Sequence, residues 1–87
     1  LNSLLKALND PTRRAILELL KEQDLNAGSI AKHFKMSHPS ISHHLDILKQ
    51  ANVVTSVKQG QYVVYSINLT VLDQLVNWVL SLNQQTP

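Results

Sequence analysis

The feature that most constrains this chain is a change of hydrophobic period at Val53. Before it, apolar residues return every three or four positions. The sets are Leu1, Leu4, Leu5 and Leu8, then Ile16, Leu17, Leu19 and Leu20, then Ala27, Ile30, Ala31 and Phe34, then Ile41, Leu45 and Leu48. That spacing puts each set on one face of a helix. From Val53 the runs VVTSVK and YVVYSI are β-branched and aromatic, with Gln-Gly between them. They predict a two-stranded hairpin whose turn uses Gly60 at positive φ. The helical period returns in TVLDQLVNWVLSL. With 87 residues and no repeat or linker, the expectation is one domain over 1–87. Its fold class is mainly α with a β-hairpin wing, in the order ααααββα.

Local signals set the boundaries. Asp10 can cap a second helix with Pro11 in its first position, and that helix fades at KEQD. Asn26 can cap the third. Lys35, Met36 and Ser37 make a tight connection, Ser37 or His38 caps the fourth helix, and Pro39 sits in its first turn. The fourth helix ends near Gln50–Asn52, Thr70 caps the last, and the tail 83–87 frays.

Several function classes are excluded. There is no cysteine, hence no disulfide or thiolate metal site, which suits a reducing cytoplasm. No apolar run approaches the roughly 20 residues of a membrane span, and no signal peptide is visible. The chain opens at Leu1, so a few native residues are expected before it. No paired acids, glycine-rich phosphate loop or nucleophile–base set suggests an enzyme. The charge is uneven. From Gly28 to Tyr65 four lysines (Lys32, Lys35, Lys49, Lys58) face Asp46 alone, and after Lys58 only Asp73 is charged. A basic middle between apolar ends suggests a polyanion partner for the middle and a protein partner for the ends.

The third and fourth helices, joined by three residues, form a helix–turn–helix, with Ala31, Phe34, Met36, Ile41 and Leu45 facing inward. A hairpin directly after them makes a winged helix. At about 100° per residue, Leu45 and Leu48 fall within about 40° of Ile41, and His44 about 60° away on the same side. Ser42 and His43 fall opposite, and His38 leads at the helix tip. Base-edge candidates in double-stranded DNA are therefore His38, Ser42 and His43, with Ser40 in support. Lys35, Lys49 and Lys58 suit phosphate, as do the amides near Ser37, while Gln59, Gln61 and Tyr62 could contact it from the wing.

The last helix is apolar on too many sides for one core. Val71, Leu75, Trp78 and Leu82 form one stripe, and Leu72, Val76 and Val79 another; one should pack inward and the other meet a partner. The expected homodimer surface is Leu1, Leu4, Leu5, Leu8, Val71, Leu75, Trp78, Val79 and Leu82. A two-fold dimer would set its reading helices roughly 34 Å apart.

The segments NDPTRRAILELL, AGSIAKHFKMSHPSISHHLDILKQANVV and VKQGQYVVYSI resemble the ArsR/SmtB family of bacterial repressors, in order and over nearly the whole chain. The resemblance implies a homodimer, joined through its first and last helices, that binds an inverted-repeat operator and blocks transcription. Many members sense metals, but Asn26 and Gly28 stand where that family's thiolate site has cysteines. The last helix has no histidine and a single acid, Asp73. Adjacent His43 and His44 diverge by about 100°, and a zinc ion wants about four ligands. No metal and no cofactor are expected. The resemblance is to the metal-independent branch, including SdpR-like autorepressors; the signal is then either a sequestering protein, the preferred expectation, or an organic ligand in a pocket near the dimer helices. His44 reads as a core-edge residue. Lys35 stands where that turn often has glycine; positive φ there costs lysine about 1 kcal/mol, so a reshaped turn is expected. The competing readings are a winged-helix module that binds protein, and a metal-responsive repressor with unusual histidine ligands.

Overall fold

The computed structural model describes residues 1–84. Helices α1 (Asn2–Leu8), α2 (Pro11–Glu22), α3 (Ala27–Phe34) and α4 (His38–Gln50) precede the hairpin strands β2 (Val54–Gln59) and β3 (Tyr62–Ile67), and α5 (Leu69–Asn83) follows. The order departs from ααααββα by one element, a two-residue strand β1 (Leu25–Asn26) between α2 and α3. It pairs antiparallel with β3, Leu25 opposite Tyr65, giving a three-stranded sheet in the order β1-β3-β2. Gln59 pairs with Tyr62 across Gly60 and Gln61, and Gly60 has φ 61° as the sequence suggested. Of the tail 83–87, residues 85–87 lie outside the described residues.

The helix starts follow side-chain chemistry. Asp10 Oδ2 accepts from the Arg13 amide at 3.0 Å, Asn26 Oδ1 from Ser29 at 2.8 Å, and Ser37 Oγ from Ser40 at 3.3 Å. Each acceptor satisfies an amide that the first helical turn leaves unpaired. Thr70 does not cap α5. That helix begins a residue earlier, at Leu69, and the side chain of Asn68 before it donates to the Asn52 carbonyl at 2.9 Å. With the Asn68 amide bonded to Val53 O, the root of α5 is tied to the end of α4.

Both helices of the central pair end alike. After α3, Lys35 N donates to Lys32 O and Met36 N to Ala31 O; after α4, Asn52 N donates to Lys49 O and Val53 N to Leu48 O. This is the Schellman closure, which needs a left-handed residue. Asn52 supplies it at φ 62° and Lys35 at φ 54°, ψ 39°. The turn is not reshaped to spare the lysine. Ala31, Ile41 and Leu45 are buried, while Phe34 and Met36 pack half-buried beside them.

Helix α1 has seven residues, too few to persist alone, and its last carbonyls have no partners within the helix. Beyond the Asn9 amide, which meets Lys6 O, two arginines supply them. Arg13 Nε donates to Ala7 O at 2.8 Å, Arg13 Nη2 to Lys6 O at 3.1 Å, and Arg14 Nη1 to Leu8 O at 2.7 Å. Cations here also complement the negative end of the helix. Arg13 occupies the first position of the stripe Arg13, Ile16, Leu17, Leu20 that α2 buries.

The core comprises Ile16, Leu20, Ile30, Ile41, Leu45, Leu48, Val53 and Val54. Leu4 belongs with it at 2 % exposed, which corrects its expected place on a partner-facing surface. Helix α5 does not divide into an inward and an outward stripe either. Val71, Leu72 and Leu75, drawn from both expected stripes, pack half-buried at its root. Val76, Trp78, Val79, Leu80 and Leu82 are exposed, because the helix runs past the end of the body. The molecule measures 56 × 23 × 21 Å. Its radius of gyration of 14.6 Å exceeds the about 12 Å of a compact chain this long.

Candidate nucleic-acid interface

The amino-terminal end of α4 is exposed along its outer side. His38, Ser40 and His43 are exposed and Ser42 is half-buried, while Ile41 and Leu45 beneath them are fully buried. Ser37 Oγ donates to Ser40 Oγ at 2.9 Å, which fixes the Ser40 oxygen and leaves its proton free to be donated outward. His38 and Ser42 open onto a groove of about 350 Å³ whose other walls are Asn26, Gly28, Gln61 and Tyr62, with Tyr65 also lining it. Burial, with the Asp46 charge adding to it, pushes the Tyr65 phenol above its ordinary 10.0, so it stays a neutral hydroxyl at physiological pH.

The structure therefore brings together His38 and Ser42 from the helix and Gln61 and Tyr62 from the wing tip. Lys35, Lys49, Lys58, Gln59 and His43 are exposed but do not line this groove. Leu5, Leu8 and Leu75 share a shallow apolar depression, and Leu1, Leu4 and Val71 line a second, mainly polar one with Ser3, Gln50, Asn52 and Gln74, so α1 and the root of α5 adjoin. Trp78, Val79 and Leu82 extend that apolar surface along α5 into solvent.

His44 sits at the core edge, its side chain 16 % exposed. Its partner is a residue that sequence reasoning missed. Arg13 Nη1 lies 3.2 Å from His44 Nδ1, and Asp10 Oδ2 lies 3.9 Å from the same nitrogen. The Arg13 amide, joined by the guanidinium and His44, holds the Asp10 carboxyl below its ordinary 3.8. The signal for Arg13 was present in the sequence as an arginine in register with the apolar stripe Ile16, Leu17, Leu20. Among the described residues no three histidines, aspartates or glutamates gather as ligands for one ion.

A helix–turn–helix followed directly by an antiparallel wing, with a short polar outer face on its second helix, defines a winged helix-turn-helix regulator. Residues 10–56 match the model of the bacterial regulatory protein arsR family. The chain is 56 % identical over 81 residues to the transcriptional repressor SdpR of Bacillus subtilis, covering 93 % of this chain and 90 % of that protein. An ArsR-like transcriptional regulator from a Rhodococcus species superposes with a TM-score of 0.89 at 30 % identity, over 94 % of this chain and 75 % of that one. The homodimeric winged helix-turn-helix DNA-binding domain of a possible ArsR-family regulator from Mycobacterium bovis gives 0.78 at 29 % identity, over 92 % and 77 %. The chain belongs to the ArsR family of bacterial transcriptional regulators, and like these relatives it is a regulator rather than an enzyme.

Proposed function

We propose that the chain is a homodimeric, sequence-specific repressor that binds an inverted-repeat operator without a metal. The observation that carries this reading is the groove in which His38 and Ser42 of α4 meet Gln61 and Tyr62 of the wing. In it, short hydrogen-bonding side chains stand at a helix tip sized for a major groove about 12 Å wide. His43 and Ser40 extend that face, and Lys35, Lys49 and Lys58 supply phosphate contacts that position the protein. Repression fits the 56 % identity to a named repressor and the simplest action of a small DNA-bound dimer, which is to obstruct polymerase.

Dimerisation would cover Leu1, Leu5, Trp78, Val79 and Leu82. No helix of the described residues is long and apolar enough to cross a membrane. A bacterial repressor acts where the operator is, so the proposed function places the protein in the cytoplasm. Surface of this kind offers aliphatic area with few polar anchors, which suits relief by a sequestering protein better than by a small polar effector.

The test is selection of duplexes from a random pool by the purified protein, followed by a salt titration. The expected result is an inverted repeat with half-site centres about one helical turn apart and affinity that falls steeply with salt. Ser42→Ala and His43→Ala should relax sequence preference with the dimer intact. Failure to enrich any sequence would refute the reading.

A further inference from the structure

Arg13 is the buried charged residue among those described, at 9 % exposed. Its guanidinium is divided between two elements. Nε and Nη2 hold the Ala7 and Lys6 carbonyls that end α1, and Nη1 holds His44 at the middle of α4. Helix α1 carries Leu5 of the apolar surface, with Leu1 at its cap, and α4 carries the outer face built from His38, Ser42 and His43. One side chain thus spans the two surfaces that the proposed function uses. A well-packed apolar residue at position 44 would serve core stability as well or better, because buried charge and polarity are costly to desolvate. What the polar contact adds is a fixed angle. Neighbouring residues of a helix diverge by about 100°, so a small roll of α4 at His44 turns Ser42 and His43 away from a base edge.

We propose that Arg13 and His44 are positioning residues, forming a clasp that sets the reading helix α4 relative to α1, and that the clasp closes only when His44 is neutral. The inference rests on the DNA-binding reading above. Arginine donates and cannot accept, so His44 Nδ1 must be the acceptor and the ring proton must sit on Nε2. Adding a second proton places N–H against N–H. The new donor instead faces Asp10 Oδ2, 3.9 Å from Nδ1, and the imidazolium exchanges Arg13 for Asp10. The charged and titratable groups around His44 are Arg13 of α2, Asp10 at its cap, and His43 on α4 itself, whose ring centre is 6.2 Å away. Helix α1 meets the clasp through its carbonyls.

The probe is the duplex enriched by the wild-type protein, together with a copy whose half-sites are one base pair further apart. Affinities are measured for the wild type, Arg13→Lys, His44→Leu and His44→Gln between about pH 8 and pH 5.5. His44→Leu should fold and dimerise, yet lose about five- to tenfold in affinity and discriminate the two spacings less. His44→Gln, whose amide oxygen can accept from Arg13, should restore both. Arg13→Lys, whose donors all radiate from one nitrogen and cannot span both helices as the three guanidinium nitrogens do, should resemble His44→Leu. On acidification the wild type should lose affinity relative to His44→Gln, a comparison in which His38 and His43 cancel. Wild-type affinity and spacing preference in a folded His44→Leu would overturn the clasp. So would identical pH profiles for the wild type and His44→Gln, which decides the matter even if His44→Leu does not fold. In both cases the wild type still binds, so the DNA-binding reading survives; a wild type that enriches no duplex overturns that reading and the clasp with it.

Discussion

Replacing Lys35 separates two roles that one residue carries. Its backbone is left-handed, at φ 54°, and that conformation closes α3 through two hydrogen bonds. An L-residue there costs about 1–2 kcal/mol. Glycine removes that strain but gives the unfolded chain about 0.4–1 kcal/mol of extra freedom. The balance predicts that Lys35→Gly is more stable by about 0.5–1 kcal/mol, or about 2–8 °C in Tm for a domain this size. Lys35→Ala keeps a Cβ and therefore the strain, so it should stay within about 0.5 kcal/mol of the wild type, as exposed substitutions usually do. Both variants lose the charge. If each Lys35 meets one phosphate, two copies per dimer contribute about 1.8 to the slope of log affinity against log salt. Glycine and alanine should both remove that amount. The assays are thermal unfolding at matched protein concentration, since a dimer's stability depends on it, and a salt titration of duplex binding. A glycine variant no more stable than the alanine variant would refute the strain; an unchanged slope would refute the phosphate contact.

Two further outcomes follow from local geometry. The Asp10 carboxyl is held below its ordinary 3.8, so its ionised form stabilises the fold above that value, and the contribution is lost as pH falls through the lower native one. The Tm difference between wild type and Asp10→Asn should therefore shrink toward zero as pH falls below about 4; a difference that grows below that pH would reverse the sign. At Gly60 an added Cβ meets nothing within 4 Å, so Gly60→Ala suffers only the positive φ, about 1 kcal/mol. Hydrogen exchange should show faster opening of β2 and β3 with α4 unaffected, and equal protection in Gly60→Ala and the wild type would remove the need for glycine.

What could be read in the sequence was whatever depended on residue type at a short offset. Asp10, Asn26 and Ser37 cap helices because each places an oxygen three residues before an unpaired amide. Gly60 turns the hairpin because its neighbours alternate as strands do. The burial of Ile41, Leu45 and Leu48 beneath His38, Ser40 and His43 likewise follows from helical period alone. Pairings distant in sequence were not legible. Strand β1 has two residues and exists only because β3 arrives forty positions later, with Leu25 opposite Tyr65. Thr70 resembled a cap by type, but where α5 starts is set by Asn68 reaching back to Asn52. The split of α5 into stripes failed because periodicity describes faces, whereas burial also depends on how far the body extends. Arg13 was hidden by its charge, since an arginine near a helix start ordinarily reads as solvated; its register with Ile16 and Leu20 was the overlooked sign.

The arginine closure of α1 bears on the order in which the molecule is made. A ribosome releases the residues of α1 before those of α2, and seven residues do not hold a helix in water. The Lys6 carbonyl meets the Asn9 amide at once, but those of Ala7 and Leu8 wait for Arg13 and Arg14, which belong to α2. Helix α1, made before the residues that close it, is thus completed only after them. Since α1 carries part of the proposed pairing surface, nascent chains would emerge without a finished one, and two copies would join only after each has folded its own core.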